Sequence, residues 1–274
     1  MAHAFELGFG ALLAGAGPWA FYHGFKALRI QALIRNTPTA RVRSMAIGLV
    51  EVNGTVLPRR RTVAPFSGRP CVWWSVDVQT LSSKSKSGSR SWHTVHRAES
   101  GRPFYLRDET GLALVYPQGA DCKVGFDVAE ETHGLGVPQM YMDFMESRGL
   151  GMRHLWAVGP MRFRERRLEE GHGLYVLGRA NPKSVARSVS FDEEALEATG
   201  TDSYGAQHVR TLDDEVCAVI RRGPRDPAFI LSTTSERNEA LKYGLKAFGG
   251  LVGGPLMTVF GLWCLLELTK FGRN

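Results

Sequence analysis

Cysteine is scarce in this chain: four occur in 274 residues, Cys71, Cys122, Cys217 and Cys264, and no two are close together. No CxxC or CxH pair exists, which excludes a zinc module of the usual spacing. A disulfide between two of the first three is neither favoured nor barred by the spacing. The histidines are scattered with no HExxH, and GxSxG, GxxxxGK[ST] and a strand-to-helix GxGxxG are also missing. The common signatures of hydrolases, nucleotide triphosphatases and dinucleotide enzymes are therefore absent. His93 and His96 form HTVH, but residues three apart on a strand point to opposite faces and cannot share an ion. The acidic runs Asp192–Glu194 and Asp213–Glu215 read as solvated loops. No catalytic residue, cofactor site or metal site is legible. Lys and Arg are missing from the opening MAHAFELGF as well, which argues against a cleaved signal peptide.

What is present is apolar sequence concentrated at the two ends. AFGGLVGGPLMTVFGLWCLL, from Ala247 to Leu266, runs twenty residues without a charge. That length crosses a hydrocarbon core of roughly 30 Å. A second run, Ala4 to Phe25, is rich in Gly and Ala and contains Glu6 and Pro18. The expected organisation is a transmembrane helix over 4–25, a β-rich domain over 38–236 and a transmembrane helix over 247–267. Small residues four apart (Gly10 and Ala14, Ala11 and Gly15, Gly249 and Gly253, Gly250 and Gly254) would let the helices pack together or join two molecules. Lys26, Arg29, Arg35, Arg237, Lys242 and Lys246 lie on the middle-domain side of the spans, against Lys270 and Arg273 outside. That balance leans toward a cytoplasmic middle domain.

Between the ends, short β-branched and aromatic runs alternate with turn residues. AIGLVEVNGTVL, CVWWSVDVQTL, SWHTVHRA, PFYLRDETGLALVYP, KVGFDV, MRFRERRL, GLYVLGRA, CAVIRR and AFILST read as strands of a small OB-like barrel or a sandwich. Tight turns are expected at Asp108–Gly111 and Glu170–Gly173, and a polar hairpin loop at Ser82–Ser91. VPQMYMDFMES spaces Val137, Met140, Tyr141, Phe144 and Met145 as one face of a short amphipathic helix, expected to lie as a lid on the barrel. Thr233 and Glu236 resemble a capping box ahead of the second span.

The net charge is +7, which suits an anionic surface. Arg59, Arg60 and Arg61 form one basic run. RFRERR forms another, whose alternation puts Arg162, Arg164 and Arg166 on one strand face and Phe163, Glu165 and Arg167 on the other. A solvated sheet face is the ordinary reading. Contact with lipid headgroups by Arg59, Arg60, Arg61, Arg162, Arg164 and Arg166 comes next, each basic residue near an anionic bilayer contributing about 1 kcal/mol. Nucleic acid is not expected, because no aromatic-interleaved RNA-binding motif accompanies the arginines.

APFSGRPCVWW, Ala64–Trp74, sets a cysteine beside two tryptophans after a turn. On a strand starting at Cys71, Cys71 and Trp73 share one face and Val72 and Trp74 the other, so no aromatic pocket forms around the thiol. No histidine is close in sequence to activate it, and free cysteine is commonly buried. A structural role is expected.

Five blocks taken in order, NTPTARVRSMAIGLVEVNGTVLP, APFSGRPCVWWSVDVQ, PFYLRDETGLALVYPQGA, LEEGHGLYVLGRA and FILSTTSE, resemble the GIDE domain, also called BAM for "beside a membrane". The resemblance covers roughly Pro38 to Glu236. It implies a β-rich domain between two spans and protein partners at a bilayer. The family's best-known member is a mitochondrial E3 ubiquitin ligase, whose second span leads into a zinc-binding RING finger. This sequence reaches Asn274 without a Cys/His ligand set, so the expectation is a RING-less, prokaryotic-type relative in a plasma membrane. The mitochondrial domain faces a compartment equivalent to the periplasm, against the cytoplasmic lean of the charges, and the side stays open. The resulting expectation is a membrane-anchored, non-catalytic interaction or scaffold protein. The alternatives are a RING-type E3 ubiquitin transferase by family, or a lipid- or small-ligand-binding barrel.

Overall fold

A computed structural model describes residues 2–81, 90–132, 136–150, 160–184, 211–224, 226–233 and 236–271. The chain forms two compact units, one from Met1–Pro38 with Thr234–Asn274 and one from Thr39–Thr233. The expected loop at Ser82–Ser91, apart from its last two residues, the acidic run at Asp192–Glu194, and much of the Thr233–Glu236 cap lie outside the described residues.

The first unit is a pair of long helices, α1 (Ala2–Asn36) and α3 (Glu236–Phe271), each reaching well beyond the apolar run that it contains. Their seam is lined by the smallest side chains at intervals of seven: Gly10, Gly17 and Gly24 on α1, and Ala240, Ala247, Gly254 and Gly261 on α3, all buried. A seven-residue repeat keeps one stripe of a helix facing its neighbour. Here the stripe has almost no side chain, and backbone meets backbone. A Cβ on Gly24 would lie 2.7 Å from the Cα of Gly250, and one on Gly17 2.5 Å from the carbonyl oxygen of Gly254. Of the small pairs four apart, Gly10, Ala14, Gly250 and Gly254 enter this seam, while Gly15, Gly249 and Gly253 face open space. Among the described residues, Ala240–Glu267 of α3 is the one helical stretch long and apolar enough to cross a membrane.

In the second unit, β1 (Gly48–Leu57), β6 (Phe104–Arg107), β7 (Leu112–Val115), β12 (Val216–Arg221) and β11 (Gly173–Pro182) pair in that order, and β11 pairs back onto β1. Five strands thus close into a barrel of the OB-like kind, with every pairing antiparallel except β7 with β12. Its interior is filled by Val50, Val52, Phe104, Leu106, Val115, Leu174, Val176 and Ile220. Strands β13 (Ile230–Ser232) and β8 (Asp121–Lys123) extend the sheet beyond β11. The turn at Asp108–Gly111 joins β6 to β7. The Asp108 carboxylate accepts the amides of Val42, Thr110 and Gly111 there.

A second, antiparallel sheet runs β5 (Trp92–Glu99), β4 (Trp73–Leu81), β10 (Met161–Leu168), β9 (Val128–Thr132). Helix α2 (Gln139–Ser147) packs on this sheet and not on the barrel, because Tyr141, Phe144 and Met145 join Phe66, Val76, Val78 and Phe163 in a separate core. Tyr141 stacks on Phe163 at 4.3 Å between ring centroids. Met140, placed by spacing on the same apolar face, is exposed. KVGFDV is not one strand: β8 ends at Lys123 and β9 begins at Val128, in different sheets, with Gly125 in the turn between.

The seam yields a direct test. Gly24→Leu must push the helices apart, and overpacking of this kind costs about 1–3 kcal/mol. Gly249→Leu adds its side chain to open space. Thermal unfolding of the detergent-solubilised chain is expected to shift down clearly for the first and hardly at all for the second.

Candidate functional site

The segment from Ala64 to Trp74 decides how the two cores of the second unit are divided. Strands β2 (Thr62–Val63) and β3 (Pro70–Cys71) form a small hairpin, closed by Ala64 N–H to the carbonyl of Arg69 and by Gly68 in a left-handed conformation. The chain bends at Val72 before β4 begins. That bend breaks the strict alternation expected of CVWW. Val72 and Trp73 enter the barrel core, while Cys71 and Trp74 enter the core beneath α2. The faces assigned from a continuous strand are therefore wrong, because β3 and β4 are separate strands.

A buried carboxylate holds this bend. Glu165, fully buried on β10, accepts the amide of Phe66 at 2.7 Å and that of Ser67 at 3.2 Å. Phe66 in turn sits edge-on to Tyr141, Phe144 and Phe163. Next to it, Arg167 is buried and bonds Glu169 at 2.8 Å and the Ser67 hydroxyl at 3.3 Å. Burial, reinforced by the nearby Glu165 charge, pushes the Cys71 thiol up to about 11. At neutral pH Cys71 is therefore a thiol and not a thiolate, which fits a packing role. All four cysteines are free.

The arginines marked out in the sequence are spread over two places. In the first run, Arg59 is buried and grips Asp213 through Nε at 3.2 Å and Nη2 at 3.0 Å, and Tyr105 donates its hydroxyl to the same carboxylate at 2.7 Å. Burial and the Asp213 hydrogen bond hold the Tyr105 hydroxyl well above its usual range. Asp213, expected in a solvated loop, is thus a structural anchor. Arg60 is half-buried, and Arg61 pairs with Glu170 at 2.7 Å. The second run forms a ladder on the face of β10 away from α2. Arg162 lies over the Trp92 ring at 4.1 Å and pairs with Glu131. Arg164 and Arg166 both stack on Phe126, at 4.9 and 4.1 Å, and Arg166 donates to the carbonyl of Cys122 at 3.0 Å. The expected alternation of this strand is what the structure shows, Arg162, Arg164 and Arg166 being half-buried and Phe163, Glu165 and Arg167 buried.

His93 and His96 depart from simple alternation. A bulge at Val95 sets them opposite Thr80 and Val78, which lie two apart on β4, so the bulge cancels the reversal expected over three residues. His93 hydrogen-bonds Ser91 at the surface, and His96 lies against Phe144. Among the described residues no group of three or more His, Cys, Asp or Glu side chains could hold a metal ion.

Where the β2–β3 hairpin meets the β10–β11 turn, Arg61, Arg69, Pro70, Cys71, Val72, Glu169 and Glu170 line an open cleft of about 420 Å³. The sequence reading did not anticipate Glu165, Asp213 or this cleft. One signal was available: the same alternation that put Phe163 inside also put Glu165 and Arg167 inside, and buried charges require partners.

Residues 77–187 match the sequence model of the GIDE family, described as E3 Ubiquitin ligase. The matched stretch runs from within β4 past the end of β11. It takes in α2, β5, β9 and β10, and the barrel strands β6, β7 and β11. It begins after the Ala64–Trp74 bend and leaves out β1 and β12. No curated protein and no solved structure matches the chain.

Two outcomes check these networks. Glu165→Ala leaves the buried amide of Phe66 and the half-buried amide of Ser67 without an acceptor and is expected to cost about 2–3 kcal/mol in unfolding free energy, with Glu165→Gln losing less because it keeps an acceptor oxygen. For pH, the hydrogen bond and charge of Arg179 hold Asp226 below the usual carboxylate range. Burial acts to raise Asp108, but the amides of Val42, Thr110 and Gly111 and the Thr110 hydroxyl outweigh it and hold Asp108 low too. Depressed folded-state values mean that this stability is present at neutral pH, above the unfolded value of about 3.9. It is lost as pH falls through the lower folded values. Unfolding midpoints measured from about pH 6 downward should drop below about pH 4, and less steeply for Asp226→Asn.

Proposed function

We propose, for a chain whose residues 77–187 belong to the GIDE family, a non-catalytic interaction or scaffold role at a bilayer, anchored by the α1–α3 helix pair. The observation that carries this reading is the inverted packing of the helices. Glycine and alanine fill the seam, while Phe9, Trp19 and Tyr22 on α1 and Phe248, Leu256 and Trp263 on α3 are exposed. In water each such side chain forgoes about 1.5–3 kcal/mol of burial, whereas acyl chains supply an apolar surrounding. Small residues at the contact and large apolar ones outside is the arrangement that helices adopt in lipid. Ala240–Glu267 supplies one candidate span, and α1, bound along α3 by the glycine seam, is read as the second.

Lys26, Arg29 and Arg35 on α1, with Lys242 and Lys246 on α3, gather at the helix ends that connect to residues 39–233, which supports a cytoplasmic placement of that unit. Arg59, Arg61 and Arg162 already hold carboxylates. Arg164 and Arg166 stack on Phe126 but pair with no carboxylate among the described residues, and headgroup contact is assigned chiefly to them. RING chemistry needs two sets of Cys/His zinc ligands, and these 274 residues hold four dispersed cysteines, so the role given to them is to hold a partner and not to transfer ubiquitin. The barrel interior is packed with side chains, which favours an outer surface over the lumen as the place of contact.

The test is made on membranes from cells expressing the full chain. It is expected to stay in the pellet after alkaline washing, and brominated acyl chains are expected to quench Trp19 and Trp263. Release into the supernatant without quenching would sink the anchoring. In-cell crosslinking is expected to join residues 39–233 to another protein. Ubiquitin transfer by this chain in a reconstituted reaction would refute the non-catalytic half.

A further inference from the structure

The cleft beside Cys71 has a lining that packing alone does not require. Pro70, Cys71 and Val72 form a floor without charge, and the walls carry two cations, Arg61 and Arg69, and two anions, Glu169 and Glu170. Its volume of about 420 Å³ lies in the range of small-ligand sites. Both walls are held firmly. The 64–71 turn is fixed by Glu165 through the amides of Phe66 and Ser67, and the 169–172 turn by Gly171 in a left-handed conformation and by its amide, which donates to the carbonyl of Val56 at 2.9 Å.

The charges are only partly committed to one another. Glu169 is anchored by buried Arg167 at 2.8 Å, with His172 at 3.8 Å on its other side. Arg61 and Glu170 pair at 2.7 Å, but their side chains are 72% and 46% exposed. A pair so exposed contributes little and is readily replaced by a ligand. Arg69 forms no ion pair among the described residues and acts on Glu169 only from a longer range. Two guanidiniums, Arg61 just before β2 and Arg69 just before β3, line the same cleft and suit an oxyanion with several oxygens, such as a phosphate. The carboxylate of Glu170, freed when Arg61 turns to that anion, suits an ammonium group. A lining of both signs selects a ligand of both signs. Among the described residues no aromatic ring lines the cleft, so a quaternary ammonium would lack the cage that it uses there, and a primary ammonium is favoured.

We propose that this cleft binds a zwitterionic aminoalkyl phosphate, the phosphoethanolamine group, either as a free molecule or as a lipid headgroup. The phosphate sits on Arg61 and Arg69, the ammonium on Glu170, and the carbon chain against Pro70, Cys71 and Val72. Cys71 takes part as an uncharged floor and not as a nucleophile. The site depends on the cleft alone and stands whether or not the helix pair spans a bilayer.

The test uses the full chain in a non-ionic detergent, titrated calorimetrically with phosphoethanolamine, phosphocholine and inorganic phosphate. A second arm uses nanodiscs of phosphatidylcholine with and without phosphatidylethanolamine, the retained lipid being read by native mass spectrometry. Phosphoethanolamine is expected to bind more tightly than phosphocholine. Arg69→Gln is expected to weaken phosphoethanolamine about tenfold or more, as loss of a charge-assisted hydrogen bond does. Glu170→Gln is expected to weaken phosphoethanolamine without weakening inorganic phosphate. Both positions are exposed, so the variants should keep the parent unfolding midpoint. Binding of the free compound identifies a soluble ligand, and retention of phosphatidylethanolamine alone, lost in Arg69→Gln, identifies the headgroup. Equal binding of the choline and ethanolamine compounds, binding indifferent to Arg69→Gln, or no binding in either arm would overturn the proposal.

Discussion

The second unit hangs on a carboxylate removed from water. Glu165 is fully buried on β10, and its two oxygens are engaged by the amides of Phe66 and Ser67. An unpartnered buried carboxylate is costly, so the turn amides and the acid stabilise each other. Because the turn is held there, the chain enters the bend at Val72 from a set direction. Trp73 then closes one core and Trp74 the other. Phe66 is drawn into the ring cluster that seats α2. The cleft walls, the placement of Cys71 and the position of α2 all follow from this one contact.

The helix unit is built on the opposite principle. Among its described residues no charged or amide side chain is buried, and the seam is made by the removal of side chains so that backbones approach to contact. Dispersion between closely packed backbones works in lipid, where the hydrophobic effect offers no gain for bringing helices together. The two units therefore use different physics in one chain. That contrast supports the proposed division of labour, in which the helix pair anchors and the β unit, which carries the stretch matching the GIDE model, makes the contacts.

Much of the β architecture was legible from pattern. Strands β1, β5, β6, β7, β10 and β11 fall where alternation and turn residues put them, and the β6–β7 turn forms at Asp108–Gly111. The inward and outward faces of β10 were read correctly because that strand is regular along its length. The misreadings cluster at irregularities. Cys71–Trp74 is interrupted by a bend, Trp92–Glu99 by a bulge, and Lys123–Val128 by a passage from one sheet to another. A single displaced residue reverses every face assignment beyond it. In the candidate site, the arginines were visible but their partners were not: Asp213 lies 154 residues from Arg59, and Glu170 lies 109 from Arg61.

The sequence by itself determined the local terms: which segments form strands, where the apolar C-terminal helix runs, and that β10 carries charge on both faces. Those depend on residues two, three, four or seven apart, and such spacings are written along the chain. The tertiary structure alone decided that five strands close through a parallel β7–β12 pair, that α2 covers the second sheet, and that two arginines and two glutamates line one cleft. Each of these joins residues far apart in sequence. Closing so long a loop is settled by the summed packing of both cores and by the need to partner Glu165, and no short window of sequence contains that sum.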